Sequence, residues 1–286
     1  MKYEVLPVLV FQTDWTFKEG AVASTYGVVR SVSRDVEIFT ATHEIPQFDI
    51  WSASYRLHQY VSFWPKGTVF VSVVDPGVGT DRKACVALTE DGYYIVTPDN
   101  GALTHLAATS GIAEVREIDE TVNRLRKTEG TSVFHGRDLF GFCAAKLAAG
   151  IISYEEVGPS YDVNEIVKLP IHQPVCGEGF AEGIIEIDDP NFGNLWTNIP
   201  TAKLFEAGFA YGDDLHVTLR HNDQVIYDRN TRFDTVFGTV EKGEPVIYNN
   251  ELMNASLAVN QGSFLQQFSS GFGPEYTIRF EKKKEG

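Results

Sequence analysis

The chain has 286 residues, 43% hydrophobic and 22% charged, an ordinary globular composition with enough length for two domains. A formal net charge of -15, from 39 acidic against 24 basic side chains, repels a phosphate backbone and argues against nucleic-acid binding. Three cysteines without CxxC spacing, Cys85, Cys143 and Cys176, fit a reduced protein better than a disulfide framework. The segment Met1–Val10 lacks the apolar core and cleavage site of an export signal, and no apolar run approaches a bilayer span, so a cytoplasmic location is expected. The basic stretch Lys282-Lys-Lys284 reads as a solvated terminus.

The first half alternates strand-like and helix-like segments. Pro7–Phe11 is a short apolar run ending in the polar Gln12-Thr-Asp14. Gly20–Arg30 has helical apolar spacing, Val36–Thr40 predicts a strand, and Asp49–Leu57 predicts a helix. Thr68–Val74 predicts a buried strand that ends at Asp75. Strands spaced by helices predict an α/β domain with a largely parallel sheet. Such sheets place ligands at the carboxyl ends of their strands, here Asp14 and Asp75. Another helix is predicted from about Asp138 through Ala149, stopped by Gly150. Between Val157 and Gly179, closely spaced Gly-Pro, Leu-Pro and Gln-Pro steps predict a linker. Beyond it, Gly183–Ile187, Leu215–Leu219, Gln224–Tyr227 and Tyr276–Phe280 predict the short strands of a small antiparallel barrel or sandwich. The expected division is residues 1–168, a linker over 169–177, and 178–286.

A dinucleotide fingerprint and a Walker A sequence are both missing, so a phosphate cradle has weak support. In Asp75-Pro-Gly-Val-Gly79, followed by Arg82, the plain reading is a capped turn with a surface ion pair. The functional reading is a polar loop at a cleft, where Pro76 fixes the backbone and Gly77 and Gly79 allow close approach of a ligand. His135 lies just before a helix start, and a lone histidine is more often structural than catalytic. The additional metal-ligand candidates His43, Glu44, His105 and Asp138 show no HxxxH or HxH spacing, so a metal-free site is expected. Asp188 to Asn198 is dense in turn formers and reads as a hairpin turn. Phe192 and Trp196 beside aspartate and asparagine side chains would also suit a purine or a ribose.

Taken in order, Thr13-Asp14, Thr42-His-Glu-Ile-Pro46 with Phe48-Asp49, Val74-Asp-Pro-Gly-Val-Gly79 with Arg82, Pro98-Asp-Asn-Gly101, Phe134-His-Gly-Arg-Asp138, Phe192-Gly-Asn194 and Ala258-Val-Asn260 resemble one family over nearly the whole chain. It is the S-adenosyl-L-methionine (SAM) hydroxide adenosyltransferases, adenosine-forming SAM hydrolases related to the SAM-dependent fluorinase and chlorinase. The resemblance implies a Rossmann-like α/β N-terminal domain and a small all-β C-terminal barrel. It implies a homotrimer whose SAM sites lie where one subunit's N-terminal domain meets a neighbour's C-terminal domain. It also implies a catalytic triad of Asp75, Arg82 and His135. Asp14 would bind the ribose hydroxyls, Phe48 and Val78 would pack near the ligand, and Phe134 and Gly136 would line the reacting end. Asp189, Phe192, Asn194 and Trp196 would surround methionine and adenine, joined by Tyr248, Glu251, Val259, Asn260 and Gln261. Asn249-Asn-Glu251-Leu-Met-Asn254 departs from the Asn-Ser-Ser/Arg-Gly-Tyr sequence of many relatives. Counting back from Phe192 favours Asp189 over Asp188 for the methionine ammonium.

The implied reaction needs no cofactor, since SAM is the substrate and water the co-substrate. Methionine leaves as a neutral thioether, so the weak nucleophile limits the rate. An arginine beside the water, with a carboxylate or imidazole to accept its proton, would serve that need. The alternatives are a halogenase that forms a 5′-halo-5′-deoxyadenosine, a SAM- or adenosine-binding module without turnover, and a metal-dependent hydrolase. In the halide-using relatives the resemblance puts an uncharged aromatic where Asp75 stands. The Asp75 carboxylate about 4 Å from a halide would repel it by ~4 kcal/mol at an effective dielectric near 20, about a thousandfold in binding, so water is the expected nucleophile.

Overall fold

The computed structural model describes residues 4–128 and 130–283, and every count below is of those residues. By contact the chain divides into two compact units, Met1–Leu169 and Pro170–Gly286. In the first, strands β1 (Val8–Thr13), β2 (Glu37–Thr42), β3 (Val69–Val73), β4 (Ala84–Thr89), β5 (Tyr94–Pro98), β6 (Ile112–Glu117) and β7 (Ser160–Tyr161) form one sheet in the order β2-β1-β3-β5-β4-β6-β7. The β2-β1-β3-β5 core is parallel. The β4, β6 and β7 edge is antiparallel, because the short connection from Thr89 to Tyr94 reverses the chain without room for a crossover.

The strands of the parallel core read as continuous apolar runs because helices cover both faces of the sheet. Leu9 and Phe11 of β1 and Val69 and Val71 of β3 belong to one core with Val29 of α1 (Ala21–Val32). The alternate residues Val10 and Phe70 belong to another, with Leu57 and Val61 of α2 (Ile50–Val61) and Leu106 of α3 (Thr104–Thr109). Helix α2 starts where Asp49 caps it, accepting from the Ser52 N–H at 3.0 Å. After the short α4 (Glu120–Asn123), the helix predicted from about Asp138 begins earlier, as a π-helical turn over Gly136–Gly141. It continues as α5 (Phe142–Ala148), and Gly150 ends it at φ +65°.

The proline-rich stretch after Val157 is not a free linker over its first part. Tyr161 donates to Asp99 Oδ2 at 2.9 Å, the Val167 N–H to Asp99 Oδ1 at 2.9 Å, and the Leu169 N–H to Thr104 Oγ1 at 2.9 Å. Composition signals irregular backbone there; these side chains fasten it to the N-terminal unit.

The second unit contains strands β8 (Val175–Gly177), β9 (Phe180–Asp189), β10 (Asn194–Pro200), β11 (Asp214–His221), β12 (Gln224–Phe233), β13 (Pro245–Asn249), β14 (Asn254–Val259) and β15 (Gly273–Lys282). The order β10-β14-β13-β12-β11-β15-β9 closes on itself through β9 and β10, giving a seven-stranded barrel with β8 on its rim. Pairing is antiparallel except between β12 and β13, which the connection from Phe233 to Pro245 returns in the same direction. Leu195, Leu215, Val217, Phe233, Leu257 and Phe280 fill the interior, with the short helices α6 (Thr201–Glu206) and α7 (Phe264–Gln267) against it. No helix of the described residues is long and apolar enough to cross a membrane. Lys283 pairs with Asp214 at 3.1 Å, while Lys284 and Met1 to Tyr3 lie outside the described residues.

Candidate active site

Strands β1 and β3 are parallel neighbours with Thr13 opposite Val73. Asp14 and Asp75 lie one and two residues beyond those paired ends, so the topology sets two carboxylates at one edge of the sheet. Both line a cavity of about 310 Å³, together with Phe48, Val78, Phe134, His135 and Gly136. Asn100 donates to the Val74 carbonyl at 2.9 Å, holding the backbone just before Asp75. The turn that follows is closed by the Val78 N–H on the Asp75 carbonyl at 3.2 Å and contains Gly79 at φ +79°.

Arg82 grips Asp75 with two nitrogens. Nε donates to Oδ1 at 3.0 Å and Oδ2 at 3.1 Å, and Nη2 donates to Oδ2 at 2.6 Å. The side chains are only 6% (Asp75) and 10% (Arg82) exposed, so this is a buried, bidentate pair and not a surface one. Nη2 also lies 3.1 Å from His135 Nδ1, linking the three residues in one chain of hydrogen bonds. On the other side of the imidazole, Arg124 Nη1 stands 3.4 Å from Nε2. Burial first, and then Arg82 and Arg124, push the His135 imidazole below its usual range; Glu120 and Asp75 oppose them. His135 is therefore neutral at pH 7.

The walls of the cavity are set by local geometry. A Cβ on Gly136 would come within 2.2 Å of the Trp15 ring, so only glycine fits beneath that indole. Trp15 in turn meets Phe134 edge-on, with ring centroids 5.1 Å apart. Phe48 adopts φ +67°, rare for an aromatic residue, and its N–H donates to Asp14 Oδ2 at 3.0 Å. Its ring is 58% exposed beside the cavity. Burial raises the Asp14 carboxyl above its usual range, the Phe48 and Asp14 N–H groups oppose this, and the charge of Asp75 adds to it.

Several residues of the sequence motifs are structural. His43 is held between Thr13 Oγ1 at 2.8 Å and Tyr26 OH at 2.9 Å, and burial pushes its imidazole down to about 4. His105 bonds Ser54 through Nδ1 at 2.9 Å, and buried Asp138 pairs with Arg137 at 2.6 Å. Among the described residues, no group of three or more His, Cys, Asp or Glu side chains converges as a metal-ligand set. Asp99 anchors the segment around Tyr161 and Val167.

In the C-terminal unit a separate cavity of about 830 Å³ is lined by Asp189, Phe192, Asn194, Trp196 and Tyr248, and also by Glu251, Val259, Asn260 and Gln261. The stretch from Asp188 to Asn198 is the expected hairpin, with Asn194 opposite Asp189, and it also forms this wall. Gly193 turns it at φ +70°, where a Cβ would lie 1.9 Å from Ser263 Oγ. Trp196 Nε1 donates to Tyr248 OH at 3.0 Å, and Phe237 meets the Tyr248 ring edge-on at 4.9 Å. Burial pushes the Tyr248 hydroxyl up to about 12, so it stays a neutral donor and acceptor. Asn260 spends one amide donor on the Val240 carbonyl at 2.8 Å. Phe192 is 64% exposed at the rim.

Sequence reasoning missed Trp15, Glu19 and Gln47 in the first cavity, Phe237 and Ser263 in the second, and Arg124 beside His135. Trp15 adjoins Asp14 and was open to inference; Arg124 sits in no recognisable motif.

Comparison with known proteins extends this geometry. Residues 9–158 match the SAM hydroxide adenosyltransferase N-terminal domain and residues 183–277 the SAM hydroxide adenosyltransferase C-terminal domain. The (R)-S-adenosyl-L-methionine hydrolase of Methanocaldococcus jannaschii is 31% identical over 232 residues, covering 79% of this chain and 78% of that protein. The fluorinase of Actinopolyspora mzabensis is 28% identical over 286 residues, covering 92% and 94%. A crystal structure of a conserved protein from Thermotoga maritima superposes with a TM-score of 0.87 at 32% identity, covering 96% of this chain and all of that one. With both family domains present in order on a sheet and a barrel, the chain belongs to the SAM hydroxide adenosyltransferase family.

Proposed function

We propose that this protein hydrolyses SAM to adenosine and L-methionine by in-line attack of water on ribose C5′. The observation that carries the proposal is the buried Asp75–Arg82–His135 chain at the cavity of the N-terminal unit. In the step, a water oxygen bonds to C5′ while the C5′–S bond breaks and its electron pair returns to sulfur. Methionine departs as a neutral thioether, and the water gives up one proton. The guanidinium of Arg82 favours hydroxide character in the nucleophile, and exclusion of bulk water strengthens that effect. Holding water, C5′ and sulfur in line supplies the remaining advantage.

In this reading Asp14 takes the ribose hydroxyls, while Phe48, Val78, Phe134 and Gly136 enclose the reacting end. The aromatic wall of Phe192, Trp196 and Tyr248 suits adenine, and Asp189 and Glu251 suit the methionine ammonium. We propose that the two cavities serve one site in a homotrimer, one subunit supplying the Asp75 cavity and its neighbour the Trp196 cavity. Mixing inactive His135→Ala and Trp196→Ala subunits should then restore part of the activity, whereas no recovery from any mixture refutes the shared site.

The similarity to a fluorinase over most of the chain favours one competing reading, halide attack on the same carbon. Incubation with SAM in ¹⁸O-labelled water containing chloride and fluoride separates the two. Hydrolysis puts the label on the 5′-hydroxyl of adenosine; accumulation of a 5′-halo-5′-deoxyadenosine overturns the proposal. Recovery of unreacted, bound SAM would make the protein a binding module.

A further inference from the structure

We propose that Arg124 is a positioning residue which, with Arg82, keeps the His135 imidazole uncharged and closed to the water's proton, leaving Asp75 as the acceptor. The proposal rests on the hydrolytic reading above for its catalytic meaning, but its structural core does not. Each imidazole nitrogen of His135 faces a guanidinium donor: Nδ1 faces Arg82 Nη2 at 3.1 Å and Nε2 faces Arg124 Nη1 at 3.4 Å. A neutral imidazole has one lone pair and one N–H. The shorter contact claims the lone pair at Nδ1, so the ring proton sits on Nε2, towards Arg124. Accepting a second proton would set N–H against N–H on both sides, in a ring only 5% exposed.

Arg124 is held in that place. Nη1 pairs with Glu120 at 2.5 Å, and Nη2 donates to the Thr131 carbonyl at 2.7 Å. Its Nε is buried and finds no partner among the described residues, so the guanidinium is fixed through its two terminal nitrogens. The charged groups that act on His135 are thus Arg82 and Arg124, which oppose a further positive charge, and Asp75 and Glu120, which favour it. Both cations stand in contact with the ring. Asp75 is turned into Arg82 and Glu120 into Arg124, but the pull of Glu120 on the ring exceeds the push of Arg124, so burial and Arg82 set the direction and Arg124 offsets most of what Glu120 would otherwise add.

The proton of the attacking water then has one destination in the triad. Oδ2 of Asp75 accepts from both Nε and Nη2 of Arg82, whereas Oδ1 accepts from Nε alone and keeps a lone-pair position for the water's proton. The water O–H breaks to an Asp75 oxygen as the C5′–O bond forms, and Asp75 later returns the proton to solvent. His135 meanwhile acts on Arg82, as a fixed acceptor that aims the guanidinium.

The test follows the imidazole signals of His135 by NMR as a function of pH, without substrate, in the wild type, Arg124→Met, Arg124→Lys and Glu120→Gln. His135→Asn supplies the assignment. In Arg124→Met the midpoint should rise by roughly one pH unit, since a charge in contact with the ring has been removed. Arg124→Lys should recover part of that shift, and Glu120→Gln should move the midpoint down. The ring nitrogen shifts of the wild type at pH 7 should report Nε2–H. An unchanged midpoint in a folded Arg124→Met protein, or an Nδ1–H tautomer, overturns the proposal. These readings need no turnover, so they stand or fall apart from the assignment of hydrolysis. In the hydrolysis assay, His135→Asn, which keeps an acceptor near the Nδ1 position, should turn over at least tenfold faster than His135→Ala. Equal loss in the two would return the base role to His135 and refute this one.

Discussion

Replacement of Asp75 by asparagine tests the electrostatics of the site most directly. The carboxylate alone would repel a halide about 4 Å away by ~4 kcal/mol at an effective dielectric near 20. The structure changes that figure, because Arg82 is bound to both carboxylate oxygens. With the guanidinium charge about 2 Å farther from the same halide, attraction returns ~2.8 kcal/mol, and the net repulsion falls to ~1.4 kcal/mol, about tenfold in affinity. Charge therefore protects the wild type only weakly against halide, and under the proposed hydrolysis the positioning of water supplies much of the preference. Asp75→Asn removes the carboxylate charge and leaves Arg82, 10% exposed, uncompensated. Halide affinity should rise by about the full ~4 kcal/mol, near a thousandfold, while hydrolysis should fall by about 10²–10⁴ with its proton acceptor gone. Breaking a buried pair also costs stability, ~3 kcal/mol at the lower end because asparagine keeps one acceptor oxygen. The assay is mass spectrometry of nucleoside products across a chloride titration, beside a thermal melt. Hydrolysis at the wild-type rate in Asp75→Asn, or chloride affinity unchanged in it, refutes this account.

Three further outcomes are expected. His43 titrates near 4 when folded and near 6.5 when unfolded, so its neutral form contributes stability that is complete above pH 6.5 and is lost as pH falls towards 4. The full gap is worth ~3 kcal/mol and solvent screening reduces it to ~1–2 kcal/mol; urea unfolding from pH 7 to 4.5 should show a steeper loss for wild type than for His43→Asn, and parallel curves would contradict it. Gly136→Ala drives a methyl to 2.2 Å from Trp15, so melting should report a loss of ~1–3 kcal/mol with a fall in turnover, both partly reversed by adding Trp15→Leu; additive damage in the double variant would show that the two do not meet. Trp196→Phe removes the hydrogen bond to Tyr248 and should weaken SAM binding by roughly 5–10-fold, ~1–1.5 kcal/mol, with the maximal rate little changed; a purely kcat effect in steady-state kinetics would place Trp196 at the chemistry instead.

The sequence by itself determined the parts whose physics is local. Continuous apolar runs such as Val69–Val73 specify strands buried on both faces, and the spacing of Ile50–Val61 specifies a helix begun by Asp49. Those runs end at Asp14 and Asp75, so the chemistry was placed at strand ends before any neighbour was known. Only the tertiary structure decided what depends on which distant groups meet. It paired Asp75 with Arg82 inside the protein, where the turn alone suggested a surface ion pair, and so changed the charge a ligand would feel. It made His43, Asp99 and Asn100 scaffold, although they stand in motifs as distinctive as that of His135. It fastened a proline-rich stretch to Asp99 and Thr104, turned part of the sheet antiparallel, and laid β12 parallel to β13. It brought Arg124 to the far side of the His135 ring. Periodicity is written residue by residue, but the pairing of charges and donors is fixed only when the folded chain removes them from water, where an unmatched partner is costly.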